Sequence, residues 1–454
     1  MSVQTQLNTF GVAQVLIFLN KSASETAMSA TVANPFEHIT KHCVRSAASR
    51  QGALAIAESV NPPPPFHIYK NLGIVLGSVD NKGYKEVKES EGVRAVTEVP
   101  EVSLIRPVAA ASAAPQAGPT WGIKRLNVPA VWSQGFTGKG VVVAHLDTGV
   151  DGKHPVVKDA ILAFAQFDNL GRQVPNAKPT DSDEHGTHTA ATIAGRKHGS
   201  TAVGVAPDAM LASAMVIEGG NVIARILGGM DWAIGQGAKV LSMSLGLRGF
   251  RNEFLQLMSI LRGKGILPVI AVGNEGAGTS RSPGNYEICM SVGACDKDDT
   301  IPDFSSSQRF NRTKDPIVPD LVAPGVGVLS AVPGAKFGVM DGSSMATPHI
   351  AGLAALLWEA KPLATVDEIE MAIESSCARP AGMPENRANR GVPDAALALT
   401  ILMNVPSSGV AKKSAPKKSP PKKTPAKKSS PKKVPAKKSS PKKTPAKKSL
   451  PKKA

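Results

Sequence analysis

Four apolar runs of strand length, each leading into polar, glycine-bearing sequence, constrain this chain more than any other feature. VVVAHLD (Val141–Asp147), AMLASAMVI (Ala209–Ile217), KVLSMSL (Lys239–Leu245) and LPVIAVG (Leu267–Gly273) are apolar almost throughout. A strand with one wet face alternates between apolar and polar residues, and a strand covered on both faces does not. Helical stretches lie between the runs, such as NVIARILGGMDWAIGQG from Asn221. Strands alternating with helices predict a parallel sheet covered on both faces. The polar segments fall at the carboxyl ends of the strands, the edge where open α/β sheets build their sites. The expected fold class is therefore α/β, with a mostly parallel sheet flanked by helices over residues 121–405.

Residues 1–107 read as a separate, small α+β unit. VAQVLIFL (Val12–Leu19), GIVLGSV (Gly73–Val79) and VRAVTEV (Val93–Val99) are strand-like, and DNKGYKEVKESEG before the last of them reads as a short polar helix. Ala23–Pro65, ending in PPPP, reads as irregular. AAASAAPQAGPT (Ala109–Thr120) is small, uncharged and Pro/Gly-containing, which is linker composition. The expected divisions are 1–107, a linker at 108–120, the α/β body at 121–405 and a tail at 406–454. In the tail PKKTPAKKSS, PKKVPAKKSS and PKKTPAKKSL repeat with a period of ten from Pro421. Such a segment has almost nothing to bury and is expected to be disordered.

The net charge of +17 belongs to that tail. Of the 53 basic residues, 18 lie from Ser407 onward with no acid among them, so the remainder holds 35 basic against 36 acidic residues. Many lysines on a flexible chain bind polyanions by counterion release. No aromatic or arginine is interleaved to read bases. The expected tail partner is nucleic acid or another polyanion. The four cysteines are too few for a disulfide framework in 454 residues and lack metal-type pairing, so incidental thiols are expected, with a Cys289–Cys295 bridge as the alternative. No apolar run approaches the ~20 residues of a membrane helix. Val12–Leu19 follows no basic residue and has no small-residue cleavage signal after it, so a strand is expected there and a cytoplasmic location for the protein.

Four polar segments carry chemistry: LDTGVDGKHP from Leu146, DEHGTHTAATIAG from Asp183, AVGNEG from Ala271 and DGSSMATPHIAG from Asp341. Acyl transfer needs a nucleophile, a base, a group that orients the base, and donors for the oxyanion. Ser344 opens an apolar helix, whose free N–H groups and dipole favour developing negative charge. Pro348 is expected in the first turn of that helix, where a missing N–H costs nothing. The residues alone do not separate His185 from His188 as the base, and Asp151 competes with Asp147. Each also has an ordinary reading: a turn aspartate, a core histidine, an N-cap serine.

Together and in this order, the four segments resemble the subtilisin-like serine proteases, the subtilase family, over roughly Trp121–Val405. The resemblance implies a subtilisin-like fold, with Ser344 as nucleophile, His185 as base, Asp147 orienting it, and Asn274 joining the Ser344 N–H at the oxyanion. Ser343 stands where the family more often has threonine. Ser244, Leu245 and Gly246 of MSLG are implied to pair with substrate backbone and wall the S1 pocket. SPGNY (Ser282–Tyr286) resembles another part of that pocket. The preceding Arg281 reads either as a pocket-floor residue favouring acidic P1 side chains or as a solvated loop arginine. Val156 and GRKHGSTAVG stand where many members hold calcium. Neither suits an oxygen cage, so no metal and no cofactor are expected. Residues 1–107 resemble a subtilase propeptide with an inhibitor-like fold, whose segment Glu101–Pro107 would block the cleft. Self-cleavage is expected between Arg106 and Thr120. The function implied is a serine endopeptidase acting on protein or peptide substrates and made as a zymogen. The alternative is a non-catalytic polyanion-binding protein on the same scaffold, which loss of any of the four residues would have favoured.

Overall fold

The computed structural model describes residues 2–20, 36–44, 65–99, 102–217 and 222–405. The basic tail and most of Ala23–Pro65 lie outside the described residues. The amino-terminal unit holds α1 (Val3–Phe10), β1 (Val12–Leu19), α2 (Glu37–Thr40), β2 (Phe66–Tyr69), β3 (Ile74–Asp80), α3 (Asn81–Glu89) and β4 (Val93–Glu98). Its strands form one sheet in the order β2-β3-β1-β4, each antiparallel to its neighbour. Two short strands follow, β5 (Ser103–Leu104) and β6 (Ala109–Ala113).

β1 shows why an antiparallel strand reads as a continuous apolar run. Val15, Ile17 and Leu19 join Val3, Leu7 and Ile39 in the unit's own core. Leu16 and Phe18 point the other way, into a cluster with Ile226, Leu227 and Leu257 of the larger body. Side chains alternate across a strand, so two covered faces need apolar residues at every position.

The body continues with β7 (Val142–Asp147), β8 (Ile161–Gln166), α4 (His185–Ala194), β9 (Met210–Met215), α5 (Val222–Gly235), β10 (Val240–Met243), β11 (Leu245–Arg248) and α6 (Leu255–Gly263). β12 (Leu267–Ala271), β13 (Arg281–Ser282), β14 (Met290–Cys295), β15 (Leu321–Pro324), β16 (Val328–Val332), β17 (Lys336–Asp341) and α7 (Ser343–Ala360) come next. Seven strands form a sheet in the order β15-β14-β12-β10-β7-β9-β8, parallel throughout. The order reverses around β7, placing Asp147 at the kind of switch point where such sheets bind ligands. This is the α/β architecture the apolar runs predict. Among the described residues no helix is long and apolar enough to cross a membrane.

α7 is buried on all sides from Ser343 to Trp358, packed against α4 and the sheet strands β10, β12 and β14. Pro348 is its sixth residue and so lies beyond the first turn expected from the sequence. Its missing N–H frees the carbonyl of Ser344, which accepts from Ser244 Oγ at 3.3 Å instead. The stretch with linker composition is not free chain. Its residues Ala109–Ala113 form β6 and pair antiparallel with β17, from Ala109 opposite Asp341 to Ala113 opposite Phe337. All four cysteines are free thiols, so Cys289 and Cys295 form no bridge.

Candidate active site

Asp147 ends β7 and is buried. Its Oδ1 accepts from its neighbour's backbone, Thr148 N, at 2.7 Å and from His185 Nδ1 at 2.7 Å. Its Oδ2 accepts from Thr189 Oγ1 at 3.2 Å. Thr189 lies one helical turn after His185 on α4, so one helix supplies both contacts. Burial opposes a charge on Asp147, but the His185 imidazole and its hydrogen bond outweigh it and hold the carboxyl below its ordinary pKa. Burial likewise opposes the His185 imidazolium, and the Asp147 carboxylate overcomes it, raising His185 above 6.5. With Nδ1 committed to a carboxylate, His185 Nε2 is left as an acceptor. It is buried and has no hydrogen-bond partner.

Ser344 is the second residue of α7. Its hydroxyl donates to the backbone oxygen of Ile105. Asn274 follows β12, and its Oδ1 accepts from Ser343 N at 2.9 Å and faces Ser343 Oγ at 2.8 Å. That fixes the amide so that Nδ2 faces outward, donating to Arg106 O at 2.8 Å. Gly342 makes room, since a Cβ there would lie 3.1 Å from Asn274 Nδ2. Asp147 and His185 form one half of the site, Asn274 and Ser344 the other. Residues 105–106 lie against both, because Arg106 also pairs with Asp183 at 2.9 Å, two residues before His185.

A hydroxyl, a buried imidazole oriented by a carboxylate, and an outward amide suit acyl transfer. The family model described as the subtilase family matches residues 138–397. The chain belongs to the subtilase family. Subtilisin E of Bacillus subtilis is 32% identical over 316 residues, which is 68% of this chain and 76% of that protein. M-protease of Shouchella clausii is 37% identical over 275 residues, covering 60% and 68%. Subtilisin Savinase of Lederbergia lenta is 38% identical over 245 residues, covering 53% and 85%. The chain is thus a subtilisin-like serine endopeptidase, whose substrates are proteins or peptides.

The other sequence candidates of this subtilase fall elsewhere. His188 is buried with Nε2 on Val328 O at 2.9 Å, and burial drives its pKa down to about 3. Asp151 accepts from Lys153 N and Gly334 N, both at 2.9 Å, as a turn residue does. Val156 is buried in the core. Arg196 donates to the carbonyls of Pro207, Ala209 (2.9 Å) and Asp159 (3.0 Å), so a cation already occupies those oxygens and the residues do not fit calcium. Among the described residues no group of three or more His, Cys, Asp or Glu is placed to hold a metal.

Ser244, Leu245 and Gly246 are engaged by the chain itself. β5 lies antiparallel on β11, with Leu104 opposite Leu245 and Ser103 opposite Gly246. Ile105 N continues the ladder, donating to Ser244 O at 3.0 Å. Past Ser344, Val108 N donates to Asp341 O at 2.9 Å and β6 begins. Arg281 is neither a solvated loop residue nor a solvent-facing pocket floor. It is buried in β13 and paired with Glu275. Ser343 and Thr189 carry positioning contacts that sequence reasoning missed. The only available signals were their spacing, one residue before Ser344 and four after His185.

Proposed function

We propose that this subtilase is made as a zymogen whose residues 102–107 occupy its own cleft as a substrate would, and that it cuts the Ile105–Arg106 bond. One observation carries the reading: β5 pairs with β11 up to Ile105, whose carbonyl oxygen meets the Ser344 hydroxyl. In this reading residues 1–105 are the propeptide, the cut falling one bond before the Arg106–Thr120 interval expected from the sequence, and 121–405 are the catalytic domain. Ser244, Leu245 and Gly246 hold substrate backbone by strand addition.

The Ser344 hydroxyl turns from Ile105 O towards His185 Nε2, the buried acceptor without a partner. His185 takes its proton as Oγ bonds the Ile105 carbonyl carbon. Asp147 holds the imidazole and stabilises its cation. Asn274 Nδ2 leaves Arg106 O and, with the Ser344 N–H, receives the oxyanion that forms at Ile105 O. The imidazolium gives its proton to Arg106 N, the peptide bond breaks, and water then hydrolyses the ester on Ser344. Arg106–Pro107 is the neighbouring bond, and Asn274 Nδ2 donates to its carbonyl. Its nitrogen belongs to proline and lies outside the β5 ladder, so Ile105–Arg106 is favoured. For the tail we propose polyanion binding, which rests on the lysine-rich sequence alone.

Intact mass of the wild type beside Ser344→Ala tests this. A wild-type fragment beginning at Arg106, absent from the variant, is expected. A fragment beginning at Pro107 moves the cut by one bond, and two whole chains refute self-processing.

A further inference from the structure

The subtilases' substrate strand lies here on β11, and the residue beyond that strand reaches under it. β13, β11 and β5 form one sheet in that order, so Arg281 starts a full strand away from β5. Its side chain crosses beneath Gly246. A Cβ on Gly246 would lie 3.4 Å from Arg281 Cβ and 2.5 Å from Ser282 O, so a larger residue there would crowd the crossing. Nε donates to Glu275 Oε1 at 2.9 Å, and Nη2 donates to the same oxygen. The remaining arm, Nη1, donates to Ser103 Oγ at 2.9 Å, with Gly246 O more distant at 3.4 Å. Ser103 sits opposite Gly246, two residues before Ile105.

We infer that Arg281 determines specificity at the third residue before the scissile bond, the P3 position, selecting side chains that accept a hydrogen bond. This rests on reading residues 103–105 as a substrate mimic. The P1 position of that mimic is the apolar Ile105, and Arg281 is bonded to Ser103 and not to it, so an acidic P1 preference does not follow. A guanidinium has only donors, so Ser, Thr, Asn or Asp at P3 satisfies Nη1. Alanine removes that acceptor and leaves Nη1 only the longer contact to Gly246 O, and lysine sets like charges together. Glu275 neutralises Arg281, and Arg248 Nε stands 3.9 Å from the same carboxylate, so no excess negative charge opposes an aspartate.

The test uses the processed enzyme and the fluorogenic peptides Val-Xaa-Leu-Ile-aminomethylcoumarin, with Xaa as Ser, Asp, Ala or Lys. kcat/KM is expected to fall about tenfold from Ser to Ala, the worth of one charged hydrogen bond, and further for Lys. Asp is expected to match or exceed Ser. In Arg281→Met the Ser-to-Ala ratio is expected to fall to about one, and in Arg281→Lys to stay intermediate. If the wild type cuts all four peptides equally, the inference is wrong while the protease reading stands. If it cuts none of them and no other peptide, the substrate-mimic reading fails. The wild-type series decides the matter even where Arg281→Met does not fold.

Discussion

At the residue scale, single hydroxyls set the geometry on which the chemistry depends. Ser343 faces Asn274 Oδ1 with its Oγ and donates to it with its backbone, so it aims an amide it does not otherwise resemble. Ser343→Ala is expected to lower kcat about tenfold with little change in KM, since a misaimed oxyanion donor acts only in the transition state. Ser343→Thr, which keeps the hydroxyl, should restore it. Removing the donor, Asn274→Leu, is expected to cost about 10²–10³ in kcat, a figure carried over from subtilisin itself. The pH profile follows from His185. Burial lowers its pKa, Asp147 raises it more, and the net value lies above 6.5. A protonated imidazole cannot accept the serine proton, so kcat/KM should fall as pH drops through a value above 6.5. In Asp147→Asn the midpoint of that limb should move down, because the main raising group is gone. An unmoved limb would mean that another group titrates.

At the element scale, the amino-terminal sheet docks on α5 through polar contacts as well as apolar ones. Asp231 Oδ1 accepts from Asn71 N at 2.7 Å and Leu72 N at 2.9 Å. Burial raises Asp231 from 3.8 to about 6. Burial also lowers His67, on β2, from 6.5 to about 4. The signs oppose. Docking takes up a proton at Asp231, so that contribution strengthens as pH falls from about 6 towards 3.8. Docking releases a proton from His67, so that contribution weakens as pH falls from 6.5 towards 4. The two shifts are of similar size. If the proposed cut occurs, retention of the amino-terminal unit, followed by size exclusion between pH 4.5 and 6.5, should therefore depend on pH less than either group alone would make it. Asp231→Asn should release it more readily at acid pH, and His67→Gln should do the reverse. Much of this level was legible beforehand. The runs at Val12–Leu19, Gly73–Val79 and Val93–Val99 became strands, because burial on a pleated surface needs little beyond apolar residues in number. The pairing of Ala109–Ala113 with β17 was not legible, since alanine carries no strand signal and only the neighbouring edge recruits it.

At the scale of the whole molecule, charge and catalysis are separated along the chain. Residues before Ser407 carry 35 basic against 36 acidic side chains. A protein ending at Val405 should cut small peptides with unchanged kcat/KM. The full chain should bind heparin or DNA with an affinity that falls steeply with salt, and the shortened one should not. Equal retention of both on heparin at low salt would refute the tail's role.

The sequence by itself determined the α/β class, because strands covered on both faces must be apolar throughout. It also offered Asp147, His185, Asn274 and Ser344 as candidates, because each sits in a polar motif at the end of a strand or the start of a helix. It did not separate His185 from His188 without the family resemblance. Tertiary structure did so through a 2.7 Å contact to Asp147 for one and a backbone carbonyl for the other. Nor did it say where Arg281 points, since an arginine's reach depends on which strand lies beside it and whether a glycine lets it pass. Local sequence fixes which groups a segment offers. Which groups meet across 239 residues, as Ile105 and Ser344 do, is decided only when the sheet closes around them.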